Sequence, residues 1–589
     1  MQRLELTWIG KGEEPAVEPR ILLHDPSRDY GDPNSTNMLI HGDNLLALKA
    51  LEQEYAGRVK CIYIDPPYNT GEAFNEYDDN LEHSIWLGLM YSRFKLLHSL
   101  LAKEGVMFVQ LNDEEMNYCK VVLDEVFGRS NMINLISVRT KNTAGASGGG
   151  EDKRLKKNIE YILVYAKDYS SFPGFNEVYE ETDLFELIAE MREEGKSWKY
   201  TRALTSLGER TYWGEIFDGS GATIKVFEHK GVEIKPISEI ARQIASEKGI
   251  SKEEAERRAY FENFDTIFRD TNAQSSIRQR VMDATGSEDG FYSIEYYPQT
   301  GKNKGNLTTL YYKGAKRDII AWLSDVAYKS KSSIVKREKL GTYWGSFNWN
   351  NVNKEGGIVF TGGKKPEALV QRIIEMSTNP GDIVLDSFLG SGTTAATAHK
   401  LGRKYIGVEL GEHCYTMCLP RLRAVVDGDK TGISSAVDWQ GGGGFKFYEL
   451  APTLVVQDEN GLEVISDKYD PTMLAAAVAK LCGYRFAPSE TNPFIHGVNN
   501  VGGYIYVTPQ YVTAPLLHEI AKHFGDNQSL VICASAFQIG IKDNYPNIQL
   551  RKIPQSVLSK CEYGVDNYDL NVVDVPDFDL TEEDFDDVE

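Results

Sequence analysis

Cysteine is scarce and scattered: the seven at positions 61, 119, 414, 418, 482, 533 and 561 never form a Cys-x-x-Cys pair. An odd, unclustered set excludes a disulfide framework and gives no zinc-ligand spacing, so no metal is expected and a reducing cytoplasm suits the chain. Cys414 and Cys418 share a helical face and read as buried thiols. No apolar run approaches the roughly 18–20 residues that span a bilayer, so no membrane contact is expected. The start, MQRLELTWIGKGEEP, has no basic-then-apolar signal pattern. Nor is there a Gly-x-x-x-x-Gly-Lys-Ser/Thr phosphate loop, so the chain should not cleave or translocate a nucleic acid by itself.

Positive charge is short overall, at a net −22, but the deficit is local. Residues 562–589 hold twelve acids and no Lys or Arg, which is more than half of the excess. Val138–Asn158 has six basic residues against two acidic, and Gln299–Gly341 has ten against three. The middle of the chain can therefore meet phosphates despite the sign of the total, the other reading being a solvated face.

With 589 residues, two to four domains are expected. Apolar runs at Met38–His41, Val59–Ile64, Val106–Leu111, Ile133–Val138 and Tyr161–Ala166 alternate with helical patterns. In one such pattern Ile85, Leu89, Met90, Phe94, Leu97, Leu100 and Leu101 form a single stripe closed by Gly105. Nearly all-apolar strands between helices predict a parallel α/β sheet covered on both faces. The rhythm is lost between about 170 and 340. It resumes with helix Pro366–Ser377, strand Ile383–Asp386, helix Thr393–Leu401, strand Lys404–Glu409 and helix Glu412–Arg423. That second block is too small for its own sheet, so it should join the first, with the middle inserted as a domain. The expected divisions are 1–170, 171–340, 341–430, a linker 431–447, a C-terminal domain 448–565 and an acidic, disordered tail 566–589.

Two constellations carry chemistry. Asp386-Ser-Phe388-Leu-Gly390-Ser-Gly392-Thr393-Thr394-Ala395 is a glycine turn between strand and helix, where a ligand can approach the backbone and the helix N-terminus. Glu409 ends the next strand, placed to accept both ribose hydroxyls. Gly-x-Gly-x-x-Ala also satisfies the dinucleotide fingerprint, so a nicotinamide enzyme stays open. Asp386 weighs against it: a carboxylate there repels a pyrophosphate and attracts the ammonium of a methionine moiety, favouring S-adenosylmethionine.

Asp65-Pro66-Pro67-Tyr68 ends strand Val59–Ile64. Two prolines stop the ladder and stiffen the turn, so its carbonyls should face outward. An exocyclic amino group is a poor nucleophile. Asp65 and the Pro66 carbonyl could each accept one of its hydrogens and aim the lone pair, with Tyr68 as a stacking ring. An ordinary Asp is a weak base, so Asp65 is assigned to orientation and electrostatics, not to proton abstraction before attack.

Asp-Pro-Pro-Tyr followed, after a large insert, by Phe-Leu-Gly-Ser-Gly resembles the β-class amino-methyltransferases of DNA. The segments HGDNLLALKAL, DPPYNTG and the run from Gly341 to Leu410 are similar to the modification (Mod) subunit of Type III restriction systems. The resemblance covers about 35–170 and 340–425 strongly. It implies a doubly wound, mostly parallel, seven-stranded Rossmann-like methyltransferase sheet whose two halves are 1–170 and 341–430, with 171–340 a target-recognition domain. It also implies transfer from S-adenosylmethionine to N6 of a flipped-out adenine, with Asp65, Pro66, Pro67 and Tyr68 forming the adenine pocket. Phe388, Gly390, Gly392 and Thr393 would line the cofactor, Glu409 its ribose and Asp386 its methionine end. Lys365-Pro366 would open the helix over the methionine carboxylate, and Asp43 would reach the cofactor's adenine. Implied partners are double-stranded DNA, a second copy and a separate helicase–nuclease subunit. Candidate DNA contacts are Arg139, Lys141, Arg278, Arg280, Lys302, Lys304 and Lys316, with the Gly145–Gly150 loop beside the pocket strands. Related enzymes that methylate N4 of cytosine usually carry Ser in place of Asp65, which favours adenine; a non-catalytic recognition subunit is the alternative of another class.

Overall fold

Apolar segments too short for helices become strands here, each stopped by a residue that leaves the ladder. Val59–Ile64 ends at Asp65-Pro66-Pro67 because proline has no N–H to donate. The computed structural model describes residues 5–13, 15–68, 83–140, 157–272, 275–299, 304–331, 333–349, 352–360, 363–525, 527–541, 545–553 and 563–566. Lys141, Lys302, the Gly145–Gly150 loop and the acidic tail beyond Asp566 lie outside the described residues.

The chain divides into two compact units, one of residues 1–176 with 341–589 and the other of 177–340. In the first unit the principal elements are β1 (Met38–His41), α1 (Asn44–Tyr55), β2 (Val59–Ile64), α2 (His83–Leu100), β3 (Leu101–Leu111), β4 (Met132–Arg139) and β5 (Ile159–Ala166). After the insert come α3 (Glu367–Ser377), β6 (Ile383–Asp386), α4 (Thr393–Lys400), β7 (Lys404–Glu409) and β8 (Gly444–Leu450). They form one sheet in the order β8-β1-β7-β6-β2-β3-β5-β4, in which the halves before and after the insert interleave. Every pairing from β8 to β3 is parallel, while β5 runs antiparallel to both its neighbours. Short strands at Leu22–His24, Tyr30–Gly31 and Tyr343–Trp344 complete eleven.

The seven strands the resemblance implies are β1 to β7, contiguous in the sheet; β8 and the short strands extend them. Residues 444–447, the end of the expected linker, belong to the sheet. The three glycines before Gly444 read as a break, but Phe445 and Phe447 are buried and β8 is hydrogen-bonded to β1. The expected helix stripe through Leu101 is cut after Leu100, since Leu101 already begins β3. The remaining C-terminal residues, which carry a five-stranded sheet from Arg485 to Lys552, fall in the same compact unit.

Chain order sets the position of the crevice. From β2 the chain proceeds to β3 on one side; from β6 it proceeds to β7 on the other. β2 and β6 are adjacent and parallel, with Val384 beside Cys61 and Leu385 beside Ile62. The loops leaving their carboxyl ends therefore diverge, opening a crevice where such sheets place ligands. Beneath it Ile62, Ile64, Met107, Val109, Leu385 and Val408 are fully buried with Trp86, Met90, Phe94 and Leu97 of α2.

The second unit is built on an eight-stranded antiparallel sheet and a three-stranded one, with helices Leu184–Glu193, Ile237–Lys248, Lys252–Glu262 and Ser276–Thr285. Its polar sequence hid this, because an antiparallel strand with one wet face shows no long apolar run. The fully buried Arg317 donates to the carbonyls of Thr285, Gly286, Glu288 and Gly314, closing off the end of helix Ser276–Thr285. Among the described residues no helix is long and apolar enough to cross a membrane.

Candidate functional site

The glycine turn follows β6. Gly390 and Gly392 adopt φ of +55° and +79°, left-handed conformations that a side chain would strain. Cys418 Sγ donates to the Gly390 carbonyl at 3.0 Å, and buried Arg421 donates to Thr393 Oγ1 at 2.7 Å and to the Ser391 carbonyl at 3.1 Å. Arg421 also pairs with buried Glu367 at 2.8 Å, which in turn holds Lys400 at 2.9 Å. A buried ion network thus backs the turn. Phe388 is half-buried against the main core. Cys414 and Cys418 are free, buried thiols.

Three carboxylates meet around this turn. Asp386, at the end of β6, accepts from Phe388 N at 2.9 Å and from Thr394 Oγ1 at 2.6 Å. Burial pushes its pKa up to about 7 despite those bonds, with Asp65 and Glu409 adding repulsion. Glu409, at the end of β7, accepts from Gly390 N at 2.6 Å, Leu410 N at 2.8 Å and Gly411 N at 3.1 Å. His413 Nε2 stands 3.0 Å from it. Burial works against its charge, but the His413 bond and the backbone N–H groups hold its pKa below the usual value.

The turn after β2 is anchored from below: Trp86 Nε1 donates to the Pro67 carbonyl at 2.8 Å. That carbonyl faces the core-packed α2, not outward as expected of this turn. Asp65 Oδ2 lies 2.8 Å from Lys365 Nζ, whereas Asp65 Oδ1 is buried without a hydrogen-bond partner. Burial raises the Asp65 pKa, with Glu160 adding to it, against the opposing pull of Lys365. Lys365 also lies 3.5 Å from Glu160 Oε2 and 4.8 Å above the Tyr68 ring. Burial opposes its charge too, but the two carboxylates more than offset this and raise its pKa. Tyr68 donates its phenol to Glu160 Oε2 at 2.9 Å.

The structure therefore brings together Asp65, Tyr68, Lys365, Asp386 and Glu409. Pro366 caps α3 with its backbone, as a helix-opening residue should. Lys365 points to Asp65, which spacing could not reveal. Asp43 is 1% exposed; its Oδ1 caps α1 through Leu46 N at 3.0 Å and its Oδ2 is 3.5 Å from Arg93 Nη2. It is engaged as a helix cap and ion-pair partner, and its neighbour Asn44 ties that cap to the Ser387 carbonyl at 2.8 Å. Glu160, Gln110, Trp86 and Arg421 were missed, since each acts through a pairing distant in sequence. The one available signal was a lone acid in the otherwise apolar run IEYILVYA.

Of the basic candidates, Arg139 in the first unit donates to the Gly345 carbonyl at 2.8 Å. In the second unit Arg278 is tied to the carbonyls of Lys316 and Arg317 at 3.0 Å each, leaving its side chain 12% exposed. It is a structural strut more than an open phosphate ligand. Arg280 is exposed and donates to the Phe217 carbonyl at 2.9 Å; Lys304 and Lys316 are exposed.

Buried acids beside a glycine turn suit a ligand with positive charge and a backbone-hugging body. A family model described as DNA methylase matches residues 59–419, spanning both turns and the insert. The chain belongs to the DNA methylase family. This methylase is 44% identical over 418 residues to the probable type III restriction-modification enzyme HindVI Mod subunit of Haemophilus influenzae, covering 71% of this chain and 54% of that one. It is 25% identical over 450 residues to the type III restriction-modification enzyme StyLTI Mod subunit of Salmonella typhimurium, covering 70% and 58%. A 59-residue stretch is 58% identical to the DNA adenine methyltransferase YhdJ of Escherichia coli, covering 10% and 20%. The methylase spans about half the length of the Mod subunits it matches.

Proposed function

We propose that this methylase transfers a methyl group from S-adenosylmethionine to N6 of an adenine flipped out of double-stranded DNA, as the modification subunit of a Type III restriction system. The observation that carries the reading is the pairing of β2 with β6, which opens the Asp65 turn and the glycine turn onto one crevice with Asp65 Oδ1 buried and unpartnered.

The residues present fit the cofactor. Gly390, Gly392 and Thr393 leave room for its backbone-hugging body beside Phe388, Glu409 is placed for the ribose, and Asp386 for the ammonium group. The mutual repulsion of Asp65, Asp386 and Glu409 is what a cationic ligand relieves. When bound there, S-adenosylmethionine supplies a methyl group on a positively charged sulfur that departs as a neutral thioether. Asp65 Oδ1 and the Pro66 carbonyl accept the two amino hydrogens, turning the nitrogen lone pair towards the methyl carbon. Asp65 then takes the proton that the methylated nitrogen sheds, a task for which its raised pKa suits it. Tyr68 offers its ring to the extruded base, extrusion costing a few kcal/mol.

On this reading the second unit recognises the target sequence, with Lys304 and Lys316 on phosphates, and the enzyme works in the cytoplasm as a homodimer with a helicase–nuclease subunit. The test is methyl transfer from labelled cofactor to duplex DNA, with the product nucleoside identified. N6-methyladenine is expected from wild type and none from Asp65→Ala, whose cofactor affinity should stay within a few-fold. Full transfer by Asp65→Ala, or labelled N4-methylcytosine, refutes the assignment.

A further inference from the structure

We infer that Glu160 is a positioning residue for methyl transfer: through Tyr68 and Lys365 it leaves one oxygen of Asp65 open to the amino group. The inference rests on the methyltransferase reading above and extends it to a side chain which neither motif contains.

Topology puts Glu160 there. β5 is antiparallel to β3, with Tyr161 beside Leu111, so its beginning lies at the carboxyl edge where the parallel strands end. A parallel strand at this place would bring its far end to the crevice instead. Three donors converge on Glu160 Oε2. Gln110 Nε2 is at 2.5 Å, the Tyr68 hydroxyl at 2.9 Å and Lys365 Nζ at 3.5 Å. Gln110 is itself oriented, since its Oε1 accepts from the buried Tyr63 hydroxyl at 2.8 Å. The acceptor is therefore fixed from the floor of the sheet upward.

Tyr68 makes the consequence specific. Its hydroxyl donates to Glu160 at 2.9 Å, and the Asp65 carboxylate acts on the same phenol. A phenol has one proton to donate. Given to Glu160, that proton is not spent on the Asp65 carboxylate, whose Oδ1 has no partner. Given to Asp65, it would fill an acceptor position that an amino hydrogen needs. Lys365 completes the arrangement by holding Asp65 Oδ2 at 2.8 Å, so the carboxylate can neither rotate freely nor present both oxygens.

The test compares wild type, E160Q and K365M as full-length proteins, measuring kcat, cofactor affinity by calorimetry and the pH dependence of kcat. E160Q is close to isosteric and keeps a carbonyl acceptor. Its kcat should fall about 10- to 100-fold, the rate equivalent of one charge-assisted hydrogen bond, with cofactor affinity held. Asp65 must be ionised before transfer, so activity is lost as pH falls through its pKa. The charged and titratable groups facing it are Lys365, Glu160, Tyr68, Tyr63 and Asp386. Removing the Glu160 anion should move the acid limb to lower pH, and removing the Lys365 cation should move it to higher pH. A merely structural role would not displace the limb in opposite directions. The inference is overturned if E160Q keeps wild-type kcat, if cofactor affinity falls in step with kcat, or if both limbs move the same way. Failure of wild type to methylate adenine would instead sink the underlying reading, whatever E160Q does.

Discussion

On the proposed assignment of Asp386 to the ammonium group, cofactor affinity depends on pH in a way that can be worked out in advance. Its carboxyl is buried, and repulsion from Asp65 and Glu409 helps hold its pKa at about 7 against an ordinary 3.8. The sign follows from which form the ligand wants. An ammonium group seated against Asp386 requires the carboxylate, so below pH 7 binding must expel a proton. Each unit of pH below the free pKa then costs about 1.4 kcal/mol, a factor of ten in affinity. At pH 6 the dissociation constant should be about tenfold above its plateau, with about 0.9 proton released per ligand. At pH 5 it should be about a hundredfold above, provided the bound pKa is lower still. The same shift bears on the ligand-free fold: Asp386 favours folding most below 3.8, and that contribution is lost as pH rises towards 7. Calorimetry from pH 5 to 7, in buffers of different ionisation enthalpy, measures both affinity and proton count. This range keeps the cofactor's own amino group protonated. S-Adenosylhomocysteine, which retains the ammonium but lacks the sulfonium charge, should follow the same curve. Asp386→Asn should flatten it and weaken binding at pH 7.5 by about 1.5–3 kcal/mol, the value of a charge-assisted hydrogen bond. A flat wild-type curve with no proton release, or an unchanged slope in Asp386→Asn, would refute the reasoning.

Three further outcomes are expected. Glu409→Gln should weaken cofactor binding about 10- to 100-fold and lower the melting temperature of the ligand-free protein, because one side chain serves the Gly390, Leu410 and Gly411 N–H groups and, on the proposed reading, the ribose; unchanged affinity by calorimetry removes the ribose assignment. Replacing Lys304 and Lys316 together by Ala should reduce the slope of log affinity against log salt by about 1.8 on duplex DNA, about 0.9 for each phosphate contact. Arg278→Ala should instead lower the stability of the second unit, since Arg278 is bound to the carbonyls of Lys316 and Arg317, and an unaltered salt slope in the double-lysine variant would take those lysines off the DNA.

By itself the sequence determined the strand–helix alternation of the methylase sheet and its two turns, because apolar period, double proline and spaced glycines act on local backbone. It also determined that Asp65, Asp386 and Glu409 end strands, since each follows an apolar run directly. What it could not determine is which strands are neighbours. Only tertiary pairing set β6 against β2 and so placed Asp386 within electrostatic reach of Asp65 across more than three hundred residues. The same holds for Lys365, which the resemblance placed over the methionine carboxylate and folding delivered to Asp65, and for Asp43, whose buried cap and Arg93 pair depend on where α2 packs. Glu160 is the sharpest case: its position at the crevice follows from β5 running antiparallel, a choice made by hydrogen bonding between strands and invisible in the order of the residues.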